Sequence, residues 1–82
     1  MMNDKLFKEE LANSPRQFGE LIRKLRKEQS MTQKDLSRIT RCSVKFISEV
    51  ENGKESAEIG KVLLLVRKLN GIIYVEWMKK KD

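Results

Sequence analysis

The sequence predicts a small all-α domain of four to five helices that ends in a short C-terminal β-strand. Apolar residues recur at helical spacing in successive segments of the chain, and three of these segments begin at residues that cap helices. Near the C-terminal end stands a run of β-branched and aromatic residues, which is typical of a strand. A chain of 82 residues, of which 39% are hydrophobic, has room for one domain around one core.

The first helix of the domain is predicted to begin at Pro15. Ser14 is a good N-cap, Pro15 suits the first helical position, and an apolar stripe with spacing i, i+3, i+4 and i+7 follows. This stripe consists of Phe18, Leu21, Ile22 and Leu25. Residues 1–14 are then an N-terminal extension, in which residues 4–11 are compatible with one further short helix.

Two short helices are predicted to follow, joined by a tight turn. Thr32 caps the first of them, and Asp35 favours its N-terminal end. Ser43 caps the second, which stops at Asn52-Gly53. Two helices of about two turns each with a tight turn between them form the helix-turn-helix pattern. The residues expected to face the core are Leu36, Ile39, Cys42, Ile47 and Val50.

A fourth helix is predicted from about Glu58 to Asn70, and Gly71 is expected to end it. Residues 15–70 then make up the helix-turn-helix domain. The apolar stripe of this helix is expected to contain Ile59, Val62, Leu63, Val66 and Leu69.

Residues 71–78 are predicted to form a strand that pairs with the same strand of a second chain. Strand-favouring residues occupy 72–77, and the backbone N–H and C=O groups of a lone strand need partners. Antiparallel pairing across a two-fold axis supplies them and makes a homodimer. The pairing residues are expected to be Ile72, Ile73, Tyr74 and Val75. The alternative is a disordered tail; residues 79–82 are expected to be a solvated basic tail.

Composition and charge favour a binding module over an enzyme. Lys and Arg outnumber Asp and Glu by 18 to 12, so the net charge of +6 suits an anionic partner. With no His and one Cys, we expect no metal, no cofactor and no catalytic residues. The longest apolar run, residues 62–66, is far too short for a membrane span, and residues 1–5 lack the layout of a secretory signal. A cytoplasmic protein without a membrane partner is therefore expected.

Residues 32–54, TQKDLSRITRCSVKFISEVENGK, resemble the helix-turn-helix of the Cro and phage-repressor (XRE) family. The resemblance extends over about residues 16–70 and implies a lambda-repressor-like domain. Residues 48–54 and 57–63 are most similar to the HipB-type antitoxins, which repress their own operon and bind a HipA-type serine/threonine kinase toxin. The matching residues in the motif are Thr32, Gln33, Leu36, Ser43, Ile47, Val50 and Glu51 to Lys54.

Two residues depart from the pattern of this family. The turn usually carries glycine where this chain has Arg41, and a small alanine where it has Ser37. Glycine suits that place because the backbone there tends to need a positive φ. Arg41 must therefore either accept a strain of roughly 1 kcal/mol or shift the turn.

The second helix of the motif is expected to read bases in the major groove with its outward face. Lys45 can donate to guanine O6 and N7, Val44 can contact a thymine methyl group, and Glu49 can accept from cytosine N4. For Glu49, a surface charge that faces away from DNA is the equal alternative. The readout set is Ser43, Val44, Lys45, Ser48 and Glu49.

Phosphate contacts are expected on the same side of the domain. Gln33 resembles the phosphate-contacting glutamine of the family, and it begins a helix whose N-terminal N–H groups favour a phosphate. Each lysine of the set could instead be a solvated surface charge. The full set is Gln33, Lys34, Asn52 and Lys54.

Arg26 and Glu51 match positions that form an internal ion pair in the family, so the resemblance implies a structural link between the first and third helices. Phe46 is expected to pack at the edge of the core rather than contact bases. Trp77 either packs in the dimer or anchors a partner protein, because such anchors are often tryptophan.

The expected function is sequence-specific repression by a homodimer on a palindromic operator. By resemblance, the operator belongs to its own toxin–antitoxin operon, and the chain neutralises a HipA-like kinase. The alternative is a stand-alone helix-turn-helix regulator without a toxin partner. An interaction module that has lost DNA binding stays open because of Arg41 and the sparse readout set.

Overall fold

The computed structural model describes residues 9–80, and four helices lie within that range. The all-α helix-turn-helix architecture predicted from the sequence is confirmed. Of the short N-terminal helix considered over residues 4–11, residues 4–8 lie outside the described part of the chain, and residues 9–11 are not helical. The helices are α1 (Pro15–Glu28), α2 (Gln33–Thr40), α3 (Val44–Glu51) and α4 (Ile59–Lys68).

The N-caps predicted for α1, α2 and α3 are confirmed. The Ser14 hydroxyl accepts from the Gln17 N–H at 3.1 Å, and the Ser43 hydroxyl accepts from the Phe46 N–H at 3.0 Å. Thr32 and Asp35 form a reciprocal capping box, in which each side chain accepts the backbone N–H of the other. The hydrogen bond from the Thr32 N–H holds the pKa of Asp35 below its usual value. These local bonds explain why the first turns begin where the sequence indicates.

The core lies where α1 packs against α3 and where α2 packs against α3 and α4. Most of the predicted core residues, including Cys42, are buried. The stripe expected on α4 is wrong at two positions, because Ile59 and Leu63 are 68% and 46% exposed, whereas Leu65 is completely buried. Ile39 of α2 is also exposed, and Thr40 is buried in its place. The buried apolar set is Ile22, Leu36, Cys42, Ile47, Val50, Val62, Leu65, Val66 and Leu69.

The shift on α4 has a geometric reason. Val62, Leu65, Val66 and Leu69 are themselves spaced i, i+3, i+4 and i+7, so they form a complete helical face. Leu63 projects about 100° away from Val62 around the helix, and it therefore lies outside that face. The sequence of this leucine-rich helix contains two possible apolar faces, and packing against α2 determines which of them is buried.

The close approach of α1 to α3 depends on Gly19. A Cβ atom at this position would lie 2.2 Å from the carbonyl oxygen of Val50 and 2.8 Å from that of Glu51. Both are backbone atoms near the end of α3, so they cannot move aside as a side chain can. The absence of a side chain at residue 19 therefore sets the distance between these helices.

The turn between α2 and α3 keeps the left-handed backbone despite its arginine. Arg41 has φ 64° and ψ 14°, and its N–H donates to the Ser37 carbonyl at 2.8 Å. The Ser37 hydroxyl donates to the Cys42 carbonyl at 2.5 Å. Arg41 therefore accepts the strained conformation, and Ser37 adds a hydrogen bond across the turn that alanine would not make.

The end of α4 differs in detail from the prediction. The left-handed residue is Asn70, with φ 64°, rather than Gly71. The Gly71 N–H donates to the Val66 carbonyl at 2.8 Å, and a Cβ at Gly71 would lie 2.8 Å from Val66 Cγ1. Gly71 is therefore required by a close approach and not by its own φ.

Residues 71–80 follow α4 without forming helix or strand inside the chain. Their large apolar side chains are exposed, from 47% at Ile73 to 92% at Met78. A strand that pairs between two chains would not form within one, so the predicted strand stays a prediction. None of the helices in residues 9–80 has the length and apolar character that crossing a membrane requires.

Candidate nucleic-acid interface

The N-terminal end of α3 projects an exposed surface from the domain. Ser43, Val44 and Lys45 are exposed there, with Val44 at 42%. Ile47 is fully buried and Val50 is 4% exposed, which fixes the opposite face of α3 against the core. Because the two faces are so different, α3 can present the side chains of its first turn to a groove while it stays packed in the domain.

One turn further along α3, Ser48 and Glu49 are only half-buried, so they lie at the edge of this surface. Glu49 is not isolated there. Its carboxylate lies 3.2 Å from the ammonium nitrogen of Lys54, and the Lys54 backbone N–H donates to the Glu49 carbonyl at 3.0 Å. The structure thus joins a residue of the predicted readout set to one of the predicted phosphate set.

Asn52 lies at the C-terminal end of α3. Its side-chain amide donates at 2.8 Å to the Ser48 carbonyl, which also accepts the Asn52 backbone N–H at 3.0 Å. The side chain remains exposed. Asn52 therefore stabilises the end of α3 and still has donor and acceptor capacity towards solvent.

Phe46 packs at the edge of the core, as the sequence predicts. The ammonium nitrogen of Lys61 in α4 lies 5.6 Å from the centre of the Phe46 ring, which is a cation–π distance. This contact joins α3 to α4.

The first turn of α2 holds Gln33, which is half-buried, and Lys34, which is exposed. The Gln33 amide nitrogen donates to Glu51 Oε1 at 3.0 Å. The Gln33 side chain is therefore held against the end of α3.

Arg26 and Glu51 form the ion pair that the family resemblance implies. The Arg26 Nε lies 2.6 Å from Glu51 Oε2, and Nη2 lies 3.0 Å from Oε1. Arg26 also donates to the Met31 carbonyl at 2.8 Å, in the loop before α2. Burial alone would raise the pKa of Glu51, but the hydrogen bonds from Arg26 and Gln33 hold it below its usual value. The same bond to Glu51 raises the pKa of Arg26.

The sequence did not predict the contact between Gln33 and Glu51. These residues are 18 positions apart on different helices, and Glu51 was assigned to Arg26 alone. No local pattern marks such a contact, because it exists only once α1, α2 and α3 are assembled. The separate predictions for Gln33 and Glu51 therefore concern one connected group of side chains.

A helix-turn-helix family model matches residues 22–72, which is more than half of the chain. The chain belongs to the helix-turn-helix family. A family member from Sinorhizobium fredii (strain NBRC 101917 / NGR234), the uncharacterized HTH-type transcriptional regulator y4mF, is 39% identical over 56 residues. The match covers 68% of this chain and 74% of that relative. This helix-turn-helix protein is thus a DNA-binding transcriptional regulator, and its family indicates a binding function rather than catalysis.

Two solved structures share the fold of this helix-turn-helix protein. A HipB–O4 20mer complex superposes with a TM-score of 0.78 at 18% identity, covering 87% of this chain and all of the HipB chain. A complex of a HipB serine-to-alanine variant with an O2 20mer gives a TM-score of 0.79 at 18% identity, with 88% and 100% coverage. At this level of identity the similarity establishes the common fold.

Proposed function

We propose that the chain is an operator-binding antitoxin of the HipB type. It binds a palindromic operator in its own operon as a homodimer and neutralises a HipA-like serine/threonine kinase. The observation that carries the DNA-binding part is the exposed N-terminal end of α3, because Val44 and Lys45 are accessible while Ile47 anchors the helix in the core. A recognition helix needs both properties at once.

Base readout in this proposal centres on Lys45. Its ammonium group donates to guanine O6 and N7, and Val44 contacts the methyl group of a neighbouring thymine. Ser43 and Ser48 add hydrogen bonds of low selectivity. Glu49 accepts from cytosine N4 once Lys54, which lies 3.2 Å from it in the chain alone, turns to a phosphate.

Phosphate contacts in this proposal come from residues that precede and follow α3 along the chain. Gln33 and Lys34 begin α2, and Asn52 and Lys54 follow the end of α3, so the readout residues lie between them along the chain. The two lysines are exposed and carry the charge that releases counterions. Each phosphate that they neutralise adds about 0.9 to the slope of log K against log salt.

Dimerisation in this proposal uses residues 71–78. Ile72, Tyr74 and Val75 are 76%, 57% and 72% exposed, which is unfavourable for a segment left in water. Antiparallel pairing with the same segment of a second chain satisfies its backbone groups. The two α3 helices then meet successive major grooves about 34–36 Å apart, which corresponds to half-sites roughly 10 base pairs apart.

Trp77 is the proposed contact for the kinase. Its side chain is 82% exposed, and a tryptophan can bury a large area in a partner's pocket. The similarity of the fold to that of HipB supports the choice of a HipA-like kinase as the partner. Binding of both DNA and kinase would require the dimer, and the chain would act in the cytoplasm.

The alternative function is a stand-alone transcriptional regulator without a toxin. The relative that is 39% identical is named only as an HTH-type transcriptional regulator, and this favours the alternative. The two functions share the DNA-binding surface and differ only in the partner protein.

Co-purification of the full chain with the products of its neighbouring genes decides between them. We expect a kinase to co-purify and its kinase activity to fall when the chain is added. Trp77→Ala should weaken this complex at least tenfold, whereas Met78→Ala, a change at an even more exposed neighbour, should not. A chain that binds its promoter but no neighbouring gene product would be the stand-alone regulator.

A second experiment tests the operator directly. Footprinting of the promoter at about 0.1 M salt should show two inverted half-sites in register with successive turns of the helix. A protein that binds promoter and unrelated DNA equally would be an interaction module without specific DNA recognition.

A further inference from the structure

The carboxylate of Glu51 joins three helices at one point. Its Oε2 accepts from Arg26 Nε of α1, and its Oε1 accepts from both Arg26 Nη2 and Gln33 Nε2, the latter at the start of α2. Glu51 is itself the last residue of α3 and is 6% exposed. Both carboxylate oxygens are therefore occupied, and one of them is shared between a guanidinium and an amide.

The chemistry of this junction determines which way the Gln33 amide faces. An ionised carboxylate only accepts hydrogen bonds, so Gln33 must turn its NH₂ group, and not its oxygen, towards Glu51. One hydrogen of that NH₂ group is used by Glu51, which leaves the second available. It belongs to the first residue of α2, where the capping box occupies the N–H groups of Thr32 and Asp35 and leaves those of Gln33 and Lys34 without partners inside the helix.

We propose that Glu51 is a positioning residue for DNA binding, which holds Gln33 so that its second amide hydrogen and the N-terminal N–H groups of α2 donate to one DNA phosphate. This inference rests on the proposed phosphate contact of Gln33. A free glutamine side chain loses rotamer freedom when it binds, which costs binding free energy. Because Glu51 already fixes the side chain in the free protein, most of that cost is removed from binding.

The charge of Glu51 does not oppose a phosphate at this place. Arg26 neutralises the carboxylate through two hydrogen bonds, and the positive charge of Arg23 on α1 also acts on it. Two arginines thus accompany one glutamate, and the net charge of the group favours an anion.

A double-mutant cycle measured on DNA affinity tests the proposal. Gln33→Ala removes the amide and should lower operator affinity about tenfold, the loss of a hydrogen bond to a charged group. Glu51→Gln is nearly isosteric but lets the Gln33 amide face either way, and it should lower affinity about threefold. In the Gln33→Ala background, Glu51→Gln should then change affinity by less than about 1.5-fold, because the side chain through which it acts is gone.

The controls separate positioning from folding. Glu49→Gln alters a carboxylate on the same helix that does not contact Gln33, so its effect on affinity should be the same in both backgrounds. Circular dichroism must show every variant folded at the assay temperature. Equal losses for Glu51→Gln with and without Gln33 would overturn the proposal and leave Glu51 a structural role. Failure of the wild-type chain to prefer its operator would instead overturn the DNA-binding function itself.

A spectroscopic measurement covers the case in which Glu51→Gln does not fold. In the wild-type protein without DNA, ¹⁵N relaxation of the Gln33 side-chain NH₂ should show the same restricted motion as that of Gln29. The Gln29 amide donates to the Leu69 carbonyl at 2.7 Å and is a matched internal reference. A Gln33 amide that rotates freely would overturn the proposal.

Discussion

The helical body, residues 15–70, buries many of its apolar side chains, whereas the C-terminal segment, residues 71–80, leaves its large apolar side chains exposed. In residues 15–70, Ile22, Leu36 and Ile47 are at most 1% exposed, and every helix contributes to one core. In residues 71–80, Ile72 and Trp77 are 76% and 82% exposed, although the segment is as apolar as a buried strand. The body therefore has a buried core of its own, whereas the apolar side chains of residues 72–78 are left uncovered within the chain, and we propose that a second copy of the chain covers them.

Deletion of residues 72–82 is the most severe test of this contrast. The helical body should stay folded with little change in its thermal midpoint, since none of the buried core residues is removed. The dimer should dissociate, and operator affinity should fall at least 100-fold because two linked half-site contacts become one. Sedimentation and DNA titration measure the two effects. Deletion of residues 79–82 alone is the control, and a dimer that survives the longer deletion would place the interface elsewhere.

Within the body, removal of the buried carboxylate should have the largest effect on stability. Glu51→Ala leaves the Arg26 guanidinium, 7% exposed, without its counter-charge. The expected loss is about 3–5 kcal/mol in the free energy of unfolding, measured by denaturant titration. Glu49→Ala breaks the more exposed pair with Lys54 and should cost about 1 kcal/mol or less. Equal losses in the two variants would contradict the assignment of a structural ion pair to the interior.

Low pH should lower the free energy of unfolding of the helical body through the Glu51 carboxylate. The pKa of Glu51 in the folded chain lies below its ordinary value of 4.5, because hydrogen bonds from Arg26 and Gln33 outweigh the effect of burial. A carboxyl group whose pKa is lower in the folded than in the unfolded chain stabilises the protein at pH values above its unfolded-state pKa. This contribution is lost as the pH falls through its folded-state pKa. The stability difference between wild type and Glu51→Gln should therefore be constant near neutrality and shrink below about pH 4.5. A difference that is independent of pH throughout the acid range would contradict this origin.

A substitution in the turn between α2 and α3 has the smallest expected effect on stability, and it should stabilise the protein rather than destabilise it. Arg41 holds φ 64°, a conformation that costs a side-chain-bearing residue more than glycine. Arg41→Gly should therefore raise the free energy of unfolding by about 0.5–1 kcal/mol, after the greater freedom of glycine in the unfolded chain is subtracted. Arg38→Gly, inside α2, should lower it by about 1 kcal/mol. Destabilisation by Arg41→Gly would show that the arginine side chain itself holds the turn.

The elements that the sequence predicted correctly are those set by local chemistry. Ser14, Thr32 and Ser43 each accept a hydrogen bond from an N–H three residues on, so the sequence neighbours alone decide where these helices begin. The inward positions of α3 were predicted for a similar reason, because Ile47 and Val50 are the marked apolar residues of a short amphipathic helix.

The features that could not be predicted depend on tertiary packing. In α4, Leu63 and Leu65 are equal candidates for the core, and only the position of α2 makes Leu65 the buried one. The bond from Gln33 to Glu51 likewise depends on three helices that meet at one point. At residues 71–78 the sequence predicts a strand that pairs between two chains, and within one chain this segment is neither helix nor strand.

Base readout by α3 is tested most directly by comparing Lys45→Ala with Lys68→Ala in the ratio of operator to non-specific DNA affinity. Both lysines are exposed, but Lys45 lies in the first turn of α3 and Lys68 ends α4. A lost base contact is worth about 1–3 kcal/mol, so Lys45→Ala should lower the ratio roughly tenfold or more, while Lys68→Ala leaves it within about twofold. An unchanged ratio in Lys45→Ala, or an equal fall in both variants, would contradict the claim that the start of α3 reads the operator.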